Sequence, residues 1–168
     1  FKLEHVLAFE HDDVEVATAL TESLDAMQRL NIEANDSSEL ARTALLRAYR
    51  LAALVEYNRG NRDLALEHLE RAIKLSPTAG TGTLNVELVT QRSASRRLRA
   101  EILAATGDSD HKAAALESIA GMAENSQHPA ILSEYARTLA LNDRLDEASE
   151  VSAQLQAMGY QPLWPISY

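Results

Sequence analysis

The stretch Tyr49–Pro77, YRLAALVEYNRGNRDLALEHLERAIKLSP, restricts the fold of this protein more than any other. Tyr49, Ala52, Ala53 and Leu54 fall at helical spacing, and Leu64, Ala65, Leu69, Ala72, Ile73 and Leu75 do so again after an interruption. The interruption, Asn58-Arg59-Gly60-Asn61, contains the residue type that closes a helix in the left-handed conformation without steric cost. Ser76-Pro77 stops the second segment, because proline cannot continue a helix. Small residues on both segments let two helices approach closely. The pattern predicts a helical hairpin.

The same alternation continues along the sequence. Val14, Ala17, Leu20, Leu24, Met27 and Leu30 predict a leading helix over 12–31, with Asp12, Asp13 and Glu15 suited to its positive end. Asp36-Ser37-Ser38-Glu39 reads as a capping box for the next helix. A loop rich in Pro, Gly and Thr covers 77–86, and its Gly80-Thr81-Gly82 lacks the Lys-Ser/Thr of a phosphate loop. Hairpins are predicted at about 38–76, 86–123 and 127–158, with corners at Gly60, Gly107 and Asp143. Ala113, Ala114, Leu116 and Ile119 mark the lining of the middle hairpin; Leu145, Ala148, Val151, Leu155 and Met158 mark that of the last. Ser126 is the expected cap of the last hairpin, with Pro129 in its first turn. In the tail, 159–168, Trp164 is expected to plug an apolar end or to lead into a following domain. A single domain over 1–168, cut from a longer protein, is the expected organisation.

The corners lie 47 and 36 residues apart, an alanine stands seven residues before each (Ala53, Ala100, Ala136), and five after stand Ala65, Lys112 and Ala148. Tyr49, the Ala52-Ala53 pair, Gly60, Ala65 with Leu69, and Pro77 resemble the tetratricopeptide repeat, a helix–turn–helix unit of about 34 residues. Glu56 departs from it where a tyrosine is usual, Leu69 where an aromatic is usual, and Lys112 where an alanine is usual. The resemblance covers about residues 46–160 and implies an all-α, right-handed superhelix of about seven helices. It also implies that the first helix of each pair lines a concave groove that binds a partner.

On that groove the expected residues are Arg47, Arg50, Leu54 and Asn58 from the first pair, Arg97 and Glu101 from the second, and Ser133 and Arg137 from the third. Four arginines on one surface suit bidentate pairing with carboxylate or phosphate. The expected partner is therefore a protein or peptide: an acidic segment, the C-terminus of another polypeptide, or an acidic stretch of the parent protein. The competing reading is that these arginines pair with Glu and Asp of neighbouring helices. A separate cluster, Arg92, Arg96 and Arg99, shares one face of the second pair's first helix and reads as solvated or ion-paired.

Composition narrows the remaining classes. A net charge of −9 argues against a direct nucleic-acid surface. There is no cysteine, so a disulfide framework and thiolate metal sites are excluded. No apolar run reaches the roughly 18 residues of a membrane span. The five histidines show no pair at zinc-site spacing, and no nucleophile or paired-carboxylate motif is present, so neither an enzyme nor a cofactor or metal is expected. The expected function is a protein–protein interaction module. The alternatives are a sensory or regulatory domain of a signalling or transcription-regulator protein, and an oligomerisation scaffold, with a homodimer one form of it. A bacterial, cytoplasmic protein is the default expectation.

Overall fold

The computed structural model describes residues 39–75, 86–105 and 107–160, together with the single positions Glu22, Leu24 and Arg29. The described residues are all-α, with six helices and no strand: α1 (Glu39–Asn58), α2 (Arg62–Lys74), α3 (Val86–Ala104), α4 (Asp110–Ala123), α5 (Pro129–Leu141) and α6 (Leu145–Ala157). Within the predicted leading helix, Glu22, Leu24 and Arg29 are helical and Leu24 is buried. The rest of that helix, the Asp36 cap and Trp164 lie outside the described residues. The protein divides into two compact units, Phe1–Ala79 and Gly80–Tyr168.

One backbone device ends the first helix of every pair. After α1, the Asn61 N–H donates to the Glu56 carbonyl (2.9 Å) and the Gly60 N–H to that of Tyr57 (3.0 Å). After α3, Asp108 donates to Leu103 and Gly107 to Ala104; after α5, Arg144 donates to Leu139 and Asp143 to Ala140. This is the Schellman motif, which needs a left-handed residue next to the helix end. Gly60 (φ 82°), Gly107 (φ 92°) and Asp143 (φ 60°) supply it. Asp143 is the only non-glycine with positive φ among the described residues. Gly159 (φ 74°) closes α6 in the same way.

The unit Phe1–Ala79 contains the α1–α2 hairpin. Leu45, Leu46, Tyr49, Ala52 and Ala53 of α1 are buried, as are Ala65, Leu69 and Ala72 of α2. Leu64, expected in this seam, is 40% exposed. It stands one step, about 100°, from the Ala65–Leu69–Ala72 stripe and faces outward.

In the unit Gly80–Tyr168, α5 packs against α3, α4 and α6. Leu116, Leu139 and Ala148 form one core cluster, and Ile119, Ala123 and Ile131 another, with Tyr135 against both. The alanines seven before the corners, Ala53, Ala100 and Ala136, are all buried. Lys112 occupies the stripe position that alanine fills in the other hairpins, one turn before Leu116. Its stem is half-buried and its ammonium reaches Asp143 at 3.7 Å, so a lysine serves there by snorkelling to the next corner. Ala113 and Ala114 are exposed, as are Leu145 and Met158; none lines the core as the sequence suggested. The cap of α5 is His128, not Ser126: His128 Nδ1 accepts from the Ala130 N–H, while Ser126 Oγ accepts from the His128 N–H. Pro129 at the first helical position places the cap at the residue just before it, as proline does there.

Candidate functional site

Arg47, Arg50, Leu54 and Asn58 lie on α1 at spacings of three and four, hence on one face. Arg47, Arg50 and Leu54 are half-buried and Asn58 is exposed. Arg47, Arg50 and Asn58 each have a partner within the protein. Arg97 and Glu101 lie on α3, Ser133 and Arg137 on α5. The first four belong to one unit and the last four to the other.

Within the second unit the structure brings Arg97, Glu101 and Arg137 together around a residue that sequence reasoning does not nominate. Glu134 of α5 is buried at 8% exposure, and its Oε1 accepts from Arg97 Nε at 2.7 Å. Glu101 Oε2 approaches Arg97 Nη1 at 3.4 Å. The Arg97 guanidinium therefore bridges α3 and α5, as the ion-pairing reading of the arginines anticipates for this residue. Burial disfavours its charge, but Glu134, by charge and by hydrogen bond, and then Glu101 outweigh that, and its pKa is raised. Arg137 is in the opposite situation: burial first, then the charge of Arg97, hold its pKa below the ordinary value, against Glu134 and Tyr160. Arginine stays charged at physiological pH, so the two shifts report how far neighbouring charges offset the burial of each guanidinium. At Arg97 the neighbouring carboxylates outweigh burial; at Arg137 burial and the charge of Arg97 outweigh Glu134 and Tyr160.

The sequence carries one hint of Glu134. It interrupts ILSEYARTLAL, a segment whose other members are almost all apolar or small. Nothing in the sequence marks its partner, which lies 37 residues away.

The histidines of this unit have structural positions. Arg99 Nη1 lies 3.3 Å from His111 Nδ1, and His111 Nε2 lies 3.6 Å from Asp108 Oδ2. His128 caps α5. In the first unit, His68 is buried with its ring 6.1 Å from that of Tyr49. Among the described residues no three His, Asp or Glu side chains converge as a metal site would require, and no helix is long and apolar enough to cross a membrane. Comparison with protein-family models, with curated proteins and with solved structures finds no match to this sequence.

Proposed function

We propose that the protein is a protein–protein interaction module built from tetratricopeptide-like hairpins, and that it binds a partner segment along the face that α3 and α5 make within the unit Gly80–Tyr168. The observation that carries this reading is the packing of α5 against both members of the preceding hairpin. That places the first helices α3 and α5 side by side, joined by the Arg97–Glu134 ion pair. A repeat stack leaves such a face open, because each second helix covers only the other side. Arg97 acts there as a strut rather than a hook. Arg137, half-buried on α5, is the favoured contact for a partner carboxylate, with the exposed Glu101 on α3 of the same unit; Ser133, expected on this face, is buried and out of a partner's reach, and Arg47, Arg50, Leu54 and Asn58 share a face of α1 in the other unit.

The test is selection of peptides of about 15 residues displayed on phage against the whole protein. The expected result is enrichment of sequences with acidic positions, bound at least ten-fold more weakly by Arg137→Glu and unaffected by Arg71→Glu on α2. Peptides whose binding ignores Arg137→Glu would count against the face.

A further inference from the structure

Arg92 and Arg96 stand one turn apart on α3, both half-buried. Arg59, Arg71, Arg97 and Arg144 each hold a carboxylate. Among the described residues, no carboxylate lies within ion-pair distance of Arg92 or Arg96. The Arg96 pKa is lowered, first by burial and then by the charge of Arg92, as expected for two cations that share no counter-charge. Arg99, next along the stripe, is already engaged with His111.

The converse arrangement stands on α6. Asp146 and Glu150 are also one turn apart, both are exposed, and neither has a cation among the described residues. Glu147 between them is taken up by Arg144, which donates to both of its oxygens. No other two acids at this spacing on a described helix are both unengaged.

We propose that the two pairs meet between molecules: Arg92 and Arg96 of one copy receive Asp146 and Glu150 of a second copy. An i, i+4 pair spans about 6 Å along its helix on either side. Both ion pairs therefore close together when α3 of one molecule lies alongside α6 of the other. The contact joins unlike faces, so each copy keeps one arginine pair or one acid pair for a further neighbour, and assembly grows with concentration unless a ring closes. Exposed ion pairs are individually weak. Copies that each carry −9 repel at long range, and salt of about 0.1 M screens that repulsion beyond roughly 10 Å while sparing pairs in contact more. The contact does not use Arg97 or Arg137, so it stands apart from the partner-binding face.

Sedimentation velocity on the whole protein, from about 10 μM to about 1 mM in about 0.1 M salt, tests it. The sedimentation coefficient is expected to rise with concentration. The reversals R92E/R96E and D146R/E150R, each shown to be helical by circular dichroism, are each expected to weaken association at least ten-fold. Their equimolar mixture restores it, because each reversed pair then meets its complement. R71E/K74E, with the same change of net charge as R92E/R96E but on α2, associates like the parent protein. If R92E/R96E does not fold, R92Q/R96Q replaces it with the same expected loss. A parent protein that stays monomeric throughout would overturn the proposal. So would variants that associate as the parent does, or a mixture that fails to recover.

Discussion

The α1–α2 hairpin and the α5–α6 hairpin turn on the same backbone corner but bury their glutamates in different places. In α1–α2 the carboxylate lies under the corner itself. Glu56, 6% exposed, accepts from Asn61 Nδ2 at 2.6 Å and approaches Arg59 Nη1 at 3.4 Å. A Schellman corner is usually sealed by an apolar contact between the residues that Glu56 and Asn61 replace. In α5–α6 the equivalent of Glu56 is Leu139, fully buried, and the glutamate stands five residues earlier, facing α3. The first arrangement closes a hairpin on itself. The second ties one hairpin to its neighbour. A buried carboxylate is tolerated in either place because donors reach it, and the sequence distance to those donors decides whether the effect is local or spreads.

The largest expected effect comes from cutting the long-range tie. Glu134→Ala leaves the Arg97 guanidinium short of its main partner in a mostly desolvated place. Removing one member of a fully buried pair costs about 3–5 kcal/mol. Arg97 keeps 20% of its side chain in water and retains Glu101, so about 2–3 kcal/mol is expected, read by urea denaturation. Amide exchange should accelerate along both α3 and α5. Combining Arg97→Met with Glu134→Leu should recover most of the loss, since apolar replacement of a buried pair is often neutral. If the double variant is as unstable as Glu134→Ala, the tie is not what is being measured.

Glu56→Ala is expected to cost less, about 1–2 kcal/mol, because Asn61 is exposed and Arg59 half-buried, and water replaces what they lose. The sharper readout is its range. Exchange should quicken at the amides of residues 59–61 and remain unchanged in α3 and α5. Loosening of comparable extent in both variants would erase the distinction between the two hairpins.

Local chemistry makes the corners and small-residue positions readable in the sequence. Gly60 and Gly107 announce left-handed helix ends by composition alone, and Ala53, Ala100 and Ala136 mark close packing by size. Lys112 looks like a fault in the repeat because its type says "surface"; only the position of Asp143 shows where its ammonium goes. Glu56 reads as a missing tyrosine for the same reason, although its donor Asn61 stands only five residues on. The Arg97–Glu134 contact is not readable, because no periodicity rule links positions 37 residues apart. Helical spacing finds the inward arginine but not the carboxylate that fixes it. At Ser126 a preference rule misleads: serine outranks histidine as a cap, but a proline at the first helical position decides where the helix starts.

The smallest effects separate the corners themselves. At Gly60 an added Cβ would meet nothing within 4 Å, so the cost of Gly60→Ala is purely that of a left-handed L-residue, offset by a less flexible unfolded state. The net loss should be about 1 kcal/mol. At Asp143 the same conformation is already occupied by an L-residue, at φ 60°, so Asp143→Gly should have the opposite sign. Relief of the left-handed strain, about 1–2 kcal/mol, exceeds the roughly 0.5–1 kcal/mol of added backbone entropy in the unfolded state. The lost contact with Lys112 is small, because the Asp143 side chain is 88% exposed. A gain of about 0.5 kcal/mol follows, visible as a higher thermal midpoint. Should Asp143→Gly destabilise instead, aspartate at this corner would be contributing through its side chain, and the two hairpins would differ in their turns as well as in where their glutamates are buried.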